Sequence, residues 1–334
     1  MTDRRVDGAA VFVCPRCRAG LSQVSGTVLG CENERLEFPC VGGTWRFLTP
    51  EREVALGRFM EEYATVRRAE GRGSDDDAYY RALPFADRSG RFTRAWKIRA
   101  RSFRALIRTV VTPLERFHER ALDIVDLGAG NCWMSHRLAA RGHSVLAVDL
   151  QVDERDGLGA YPAYAGGAGA GSAPSPPFTP VQADLDALPL PGESVDLAVY
   201  NASFHYSTGY ERSLGEALRV VRSGGQVVIM DTPLYSDPAS GVAMVREREA
   251  DFCKRYGFPS NAIACENFLT ASRVAELERS LGLAFACVTP FYGVRWALRP
   301  LEAKLRGWRE PARFALLVTT RGSGGAPGGG RARD

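Results

Sequence analysis

The feature that most constrains the fold is a glycine-containing turn between an apolar segment and an amphipathic one. Residues 124–127 predict a buried strand, residues 133–141 predict a helix, and Gly128 and Gly130 lie in the turn that joins them. Glycine lets the backbone of such a turn approach a ligand closely, and the helix that follows offers free N–H groups. A dinucleotide-binding fingerprint would need a third glycine where Trp133 stands, so a dehydrogenase is the least favoured interpretation.

Strand and helix patterns alternate from residue 121 onward, which is typical of a parallel sheet covered by helices on both faces. The further segments that predict strands are 144–149, 179–183, 195–200, 226–230, 285–289 and 314–319. The Gly- and Pro-rich stretch 157–180 predicts a flexible surface insertion, and the Gly-, Ala- and Arg-rich residues 321–334 predict a disordered tail.

Two carboxylates follow the second and third predicted strands. Asp149 lies about 20 residues after the glycine turn, which is the spacing of an acid that binds ribose hydroxyls. Asp184 ends the third strand and is positioned to accept a hydrogen bond from an adenine amino group. Because ligands of such sheets bind outside the carboxyl ends of the strands, these two acids predict a site for an adenosine.

Five segments, in this order, resemble the successive motifs of class I S-adenosylmethionine-dependent methyltransferases. The segments are 126–130 (DLGAG), 147–149 (AVD), 182–184 (QAD), 196–199 (DLAV) and 218–225 (LRVVRSGG). They are similar to the methyltransferase type 11-like branch, which includes enzymes of ubiquinone and menaquinone biosynthesis. The resemblance spans about residues 121–320. It implies an α/β, Rossmann-like sheet of seven strands with an antiparallel last strand, and S-adenosylmethionine as the cofactor.

The resemblance also assigns residues to the cofactor. The implied contacts are Asp126, Gly128, Ala129, Gly130, Asp149, Leu150, Asp184, Leu185 and Asn201. Ribose is expected at Asp149 and adenine at Asp184. The family often has a glycine where Cys132 stands. The turn therefore either lies farther from the methionine part of the cofactor, or Cys132 packs beneath it.

The segment after the fourth strand, residues 201–206, faces the transferred methyl group in this fold and supplies the candidate catalytic residues. His205 is predicted either as a general base, because an ordinary imidazole pKa near 6.5 suits a proton acceptor, or as a histidine that shapes the pocket. Tyr206 is the second candidate. Asn201 does not begin an Asn-Pro-Pro-Tyr motif, which disfavours methylation of exocyclic amino groups on nucleic-acid bases.

Residues 51–120 predict a helical lid or linker before the sheet. An acidic helix start is predicted at 75–77, and a second helix is predicted over about 93–111. The basic residues of this helix share one face: Arg94, Lys97, Arg101, Arg104 and Arg108. That face is either solvated or contacts an anionic lipid, RNA or a phosphorylated substrate. Arg99 lies on the apolar face. It either pairs with the carboxylate of the cofactor's methionine part or extends to the lid edge.

The N-terminal 50 residues predict a small ribbon-like module. Its candidate metal ligands are Cys14, Cys17, Cys31 and Cys40. A Cys-Pro-x-Cys turn lets two thiolates share a tetrahedral metal, but Glu34 stands where the second pair of a zinc ribbon would be completed. The segment resembles, less strongly, the zinc-ribbon-like modules that precede some methyltransferases. It either binds zinc or has lost its metal.

The composition of the chain limits its possible binding partners and its possible cellular location. The net charge of +4 is too small to require nucleic acid, and no stretch approaches the ~20 consecutive apolar residues of a membrane span. The first residues lack the apolar segment of a signal peptide, so a cytoplasmic protein with reduced cysteines is expected. The favoured function is methyl transfer to a small-molecule acceptor in a lidded cleft. The alternatives are an rRNA or tRNA methyltransferase that uses a zinc ribbon, and an inactive scaffold that binds S-adenosylmethionine.

Overall fold

The N-terminal part of the chain is a set of short antiparallel strands. The computed structural model describes residues 5–6, 9–10, 12–165 and 177–322. The first strands are β1 (Arg5–Val6), β2 (Ala9–Ala10), β3 (Ser22–Ser25), β4 (Val28–Cys31), β5 (Leu36–Val41) and β6 (Thr44–Arg46). The strands β3 to β6 pair in sequence order as an antiparallel meander.

Helices occupy most of the next segment, as predicted. They are α1 (Pro50–Ala69), α2 (Asp77–Ala82), α3 (Thr93–Leu106) and α4 (Thr112–His118). The Asp76 carboxylate accepts a hydrogen bond from the Ala78 N–H and caps α2, which confirms the predicted acidic helix start. A π-helical turn at Ile107–Val111 joins α3 to α4, so the predicted second helix is confirmed over its whole length.

The remaining residues alternate strand and helix. The strands are β7 (Asp123–Leu127), β8 (Ser144–Asp149), β9 (Thr179–Gln182), β10 (Val195–Asn201), β11 (Val221–Met230), β12 (Leu234–Tyr235), β13 (Leu269–Thr270), β14 (Ala286–Val288) and β15 (Leu316–Thr320). The helices are α5 (Trp133–Ala139), α6 (Tyr210–Val220), α7 (Pro238–Tyr256), α8 (Ala271–Leu281), α9 (Val294–Ala297) and α10 (Arg299–Leu305), with 3₁₀ turns at Leu158–Tyr164 and Phe204–Tyr206.

One large sheet organises the molecule. Its order β14-β15-β11-β10-β7-β8-β9 places seven strands as expected, with β15 antiparallel to β11 and a hydrophobic core on each face. The N-terminal meander is continuous with this sheet, because β6 pairs in parallel with the edge strand β9. Phe12, Phe38 and Phe47 of the meander pack into the same core as β7 and β10. The ribbon-like segment therefore extends the main sheet to eleven strands.

The predicted flexible insertion at 157–180 is wrong at both of its described ends. The Leu158–Tyr164 turn is helical, and Leu158 and Tyr164 are buried because they pack against α2 and the sheet. Thr179 already begins β9. Residues 166–176 and the predicted disordered residues 323–334 lie outside the described part of the chain. No helix among the described residues is long and apolar enough to cross a membrane.

Candidate active site

A cavity of about 310 Å³ opens at the carboxyl ends of β7, β8, β10 and β11. Its lining includes the residues Phe59, Tyr63, Arg67, Arg99, Gly128, Ala129, Gly130, Asn131, Asp149, Leu150, Gln151, Leu185, Asn201, Ser203, His205, Tyr206, Asp231 and Phe314. The volume is that of an ordinary small-molecule site, and the position is the one at which open α/β sheets bind ligands.

The glycine turn after β7 forms one wall of this cavity. Gly128 has φ +79°, and a Cβ placed there would lie 2.2 Å from the Ser203 Cβ, so a side chain cannot be accommodated. Gly130 has φ +53° and no atom within 4 Å of its ideal Cβ position. Cys132 also has a positive φ of +64° and is fully buried. Cys132 therefore packs beneath the turn, as one of the two predicted alternatives has it, and its backbone adopts the left-handed conformation that glycine usually takes.

Asp149 links the end of β8 to the glycine turn. Its Oδ2 accepts a hydrogen bond from the Gly130 N–H at 2.7 Å, and its Oδ1 accepts one from the Gln151 N–H at 2.7 Å. Burial raises the pKa of this carboxyl, and the two N–H donors oppose the rise. Leu150 and Leu185, from the ends of neighbouring strands, supply apolar surface beside it.

The structure does not place the side chains of Asp126 and Asp184 on the cavity. Asp126 lies within β7 beneath the turn and accepts a hydrogen bond from the Ser135 hydroxyl at 2.7 Å, and burial raises the pKa of Asp126 to about 7. Asp184 Oδ2 accepts from Arg52 Nε of α1 at 2.6 Å. The contact of Asp184 with adenine stays a prediction, while in this structure a helix distant in sequence supplies the partner of its side chain.

A half-buried cation and a buried acid both line the cavity. Arg99 projects from α3 over the ring of Trp96, 5.2 Å from its centroid. Asp231 follows β11; its Oδ1 accepts from the Ser102 hydroxyl at 2.5 Å, and its Oδ2 is buried without a partner among the described residues. Burial lowers the pKa of Arg99, and the negative charge of Asp231 opposes that change. Asp231 is not among the residues predicted from the sequence, although its place at the end of the fifth strand is a usable signal.

Helix α1 closes the cavity from above. Phe59, Tyr63 and Arg67 follow one another at four-residue spacing and all line the cavity. Arg67 forms an ion pair with Asp156, and the Gln151 side-chain amide donates to the α1 backbone, which fixes the helix over the sheet edge. The sequence predicted a helical lid but gave no signal for which of its faces meets the sheet.

His205 and Tyr206 lie between α1 and the sheet. Burial lowers the pKa of His205 to about 3, and the positive charges of Arg248 and Arg99 lower it further. The pKa of His205 therefore lies well below the ordinary imidazole value near 6.5, and the side chain is neutral at physiological pH. Its Nδ1 is buried without a partner in the described structure. Tyr206 packs against the Tyr63 ring with a centroid distance of 6.1 Å.

A second cavity of about 200 Å³ adjoins the first, between α1 and α7. The two share the wall residues Phe59, Tyr63, Arg67 and Tyr206. The second cavity is also lined by Arg248, Phe252 and Phe258. The Arg248 Nη2 donates to the Asn267 Oδ1 at 2.7 Å, whereas its Nε is buried without a partner in the described chain.

Three of the four predicted metal ligands come together. The Sγ atoms of Cys14, Cys17 and Cys31 all lie within 4.8 Å of one another, which suits one face of a tetrahedral thiolate site. Cys40 is not part of this cluster, because it lies in β5 opposite Trp45, and burial raises the pKa of its thiol. Glu34 pairs with Arg16 at 3.1 Å.

The chain is similar to a family model and to several solved structures. Residues 125–229 match the model of a methyltransferase domain family. A SAM-dependent methyltransferase of Thermotoga maritima, described as a possible histamine N-methyltransferase, is 16% identical, with 80% of this chain and 98% of that one covered and a TM-score of 0.43. A putative methyltransferase of Bacillus halodurans is 18% identical, with 61% of this chain and 94% of that one covered and a TM-score of 0.43. An S-adenosylmethionine-dependent methyltransferase of Mesorhizobium loti is 21% identical, with 60% of this chain and 91% of that one covered and a TM-score of 0.43. None of the curated proteins matches the chain.

Proposed function

We propose that this chain, a class I S-adenosylmethionine-dependent methyltransferase, acts on a small-molecule acceptor bound between α1 and α7. The observation that carries this proposal is the second cavity, which holds about 200 Å³ and shares a wall of four residues with the cofactor cavity. A space of this size fits a small organic acceptor.

The residues of the first cavity fit the cofactor in charge and shape. Asp149 keeps lone pairs free for ribose hydroxyls, and Leu150 and Leu185 offer apolar surface to an adenine ring. Arg99 and Asp231 match the carboxylate and the ammonium group of a methionine moiety. When bound, S-adenosylmethionine supplies an electrophilic methyl group.

The remaining side chains align the acceptor and exclude water. Phe59, Tyr63 and Tyr206 form the aromatic wall between the two cavities and keep the reacting groups out of bulk solvent. The lowered pKa of His205 makes its imidazole a weak base, so we assign it hydrogen bonds that orient the acceptor through its buried Nδ1, which has no protein partner in the described chain. The rate gain is expected to come mainly from alignment.

The lining of the second cavity indicates the chemistry of the acceptor. Phe252, Phe258 and Tyr206 favour a flat apolar body. The unpartnered Nε of Arg248 favours an acidic or carbonyl oxygen at its edge. We therefore propose a planar acceptor that carries such an oxygen.

Incubation of cell extract with the protein and isotopically labelled S-adenosylmethionine tests the acceptor class. The extract is separated into small-molecule, RNA and protein fractions, and Asp149→Ala serves as the inactive control. Label in the small-molecule fraction, absent with the control, supports the proposal. Label confined to RNA contradicts it, and cofactor binding without label in any fraction identifies a scaffold.

The cluster of Cys14, Cys17 and Cys31 is proposed as a Zn²⁺ site. Three thiolates fit the preferred ligand chemistry of zinc. The metal would stabilise the N-terminal meander and take no part in methyl transfer.

A further inference from the structure

The segment after β14 carries a row of large apolar side chains that face solvent. The exposed residues are Phe291, Val294, Leu298, Leu301, Leu305 and Trp308, which we name the apolar ridge. Leu305 is 79% exposed and Phe291 is 71% exposed. From 294 to 305 the spacing is that of one face of a helix, so α9 and α10 present a continuous apolar surface. Contiguous apolar surface of this kind marks an interaction site.

The basic face of α3, which comprises four cations of α3 and Arg108 of the π-helical turn that follows it, lies beside this ridge. The Arg101 guanidinium donates to the Tyr292 carbonyl, and the Tyr292 hydroxyl hydrogen-bonds to Ser102 at 2.8 Å. These contacts fix the start of the ridge against α3. None of the five cations has a carboxylate within 4.0 Å in the described chain.

Cations also flank the ridge itself. Arg295, Lys304 and Arg306 are exposed on α9 and α10, and Glu302, which pairs with Arg306 at 3.2 Å, is the acid among them. Aromatic and aliphatic side chains bordered by Lys and Arg are the pattern of a helix that lies in the headgroup region of a membrane. An anionic lipid surface complements both components at once.

We propose that the apolar ridge and the basic face of α3 together dock the protein on an anionic lipid bilayer. The ridge inserts its apolar side chains among the acyl chains near the surface, and the cations contact the lipid phosphates. A second copy of this chain fits poorly, since its own basic face would be brought against this one. RNA would use the cations but would leave the ridge exposed.

The docking surface adjoins the active site. Trp296, on the inner side of α9, stacks on Phe314 at a centroid distance of 5.5 Å, and Phe314 lines the cofactor cavity. Docking would therefore hold the cleft beside the lipid surface. The proposal concerns binding and does not depend on the nature of the acceptor.

Co-sedimentation of the full chain with vesicles tests this surface without any methyl transfer. Vesicles of phosphatidylcholine are compared with vesicles that also contain phosphatidylglycerol. We expect retention on the anionic vesicles that weakens with salt. Lys97→Gln with Arg104→Gln should weaken it roughly thirtyfold, and Leu298→Gln with Leu305→Gln about tenfold or more.

Matched control variants replace exposed apolar and basic side chains that lie outside the docking surface. Val54→Gln replaces an 85% exposed valine on α1, and Arg212→Gln with Lys254→Gln removes two exposed charges from α6 and α7. These variants should bind vesicles like the parent, and all variants should keep S-adenosylmethionine binding and unfolding temperature.

Three outcomes would overturn the proposal. The first is equal or absent binding to both kinds of vesicle. The second is self-association, measured by light scattering, that the leucine variant abolishes. The third is binding to an RNA oligonucleotide that the cation variant loses and the leucine variant keeps, together with no vesicle binding.

Discussion

The Gly130 N–H donates a hydrogen bond to Asp149 Oδ2 at 2.7 Å, so the carboxylate that ends the second central strand holds the turn that follows the first. The contact joins two motifs that are 19 residues apart in sequence. Each oxygen of Asp149 uses one lone pair on a backbone N–H and keeps another for a ligand. The same side chain therefore shapes the turn and faces the cavity.

Asp149→Ala should weaken S-adenosylmethionine binding at least tenfold, or about 1.4 kcal/mol, because both the turn and the ribose lose their acceptor. Isothermal calorimetry measures the change. Glu154→Gln, an exposed acid in the same loop, is the control and should bind as the parent does. Unchanged affinity in Asp149→Ala would show that the ribose is held elsewhere.

Arg99→Ala separates recognition of the methionine carboxylate from recognition of the nucleoside. The variant should bind S-adenosylmethionine about tenfold or more weakly, since the guanidinium of Arg99 lines the cavity and is the group proposed to pair with the carboxylate. Binding of methylthioadenosine, which lacks that carboxylate, should change little. Arg108→Ala, on the exposed face of the same helical segment, is the control. Equal losses for both ligands would contradict the pairing.

The neutral state of His205 predicts a definite dependence on pH. The imidazole pKa falls from 6.5 in the unfolded chain to about 3 in the fold, so the unfolded state binds a proton that the folded state does not. The stability linked to His205 is fully present above about pH 6.5 and is lost as the pH falls toward 3. In His205→Gln, the midpoint of thermal unfolding should therefore fall less between about pH 7 and about pH 5 than in the parent.

Because of its low pKa, His205 should cause no change in the methyl-transfer rate near pH 6.5. His136, whose pKa burial lowers to about 4, lies outside the cofactor cavity lining and is the comparison. His136→Gln should reduce the pH dependence of stability in the same direction while keeping the transfer rate. If the rate instead fell tenfold for each pH unit below 6.5, and this fall were absent in His205→Gln, His205 would be shown to act as a general base.

The sequence predicts the parts of the site that local conformation controls. The backbone has positive φ angles at Gly128 and Gly130, which glycine adopts readily, and Asp149 stands at the end of a strand. A local sequence pattern is therefore sufficient to predict these three residues. The order of strands follows from the alternation of strand and helix. These features can be predicted because parallel strands bring their carboxyl ends to one edge of the sheet, whichever helices pack on its faces.

Long-range packing decides the features that the sequence did not predict. Asp184 is occupied by Arg52, which is 132 residues away, and no local pattern reveals that pair. The pKa of His205 depends on burial beneath helices that come from distant segments. Tyr63 lies on a helix whose overall amphipathic pattern is weak, so its orientation toward the cavity could not be predicted from sequence spacing.

The cysteine cluster predicts which substitutions release a metal. Cys17→Ser should reduce bound zinc from about one equivalent to near zero, because one of three clustered thiolates is lost, whereas Cys40→Ser should keep it, since Cys40 lies outside the cluster. Inductively coupled plasma mass spectrometry of the purified chain measures the zinc. A chelator should lower the unfolding temperature of the parent and of Cys40→Ser by similar amounts and leave Cys17→Ser unaffected. Equal loss of zinc in both serine variants would place Cys40 among the ligands, and a parent protein without zinc would mean that the meander is stabilised by Phe12, Phe38 and Phe47 alone.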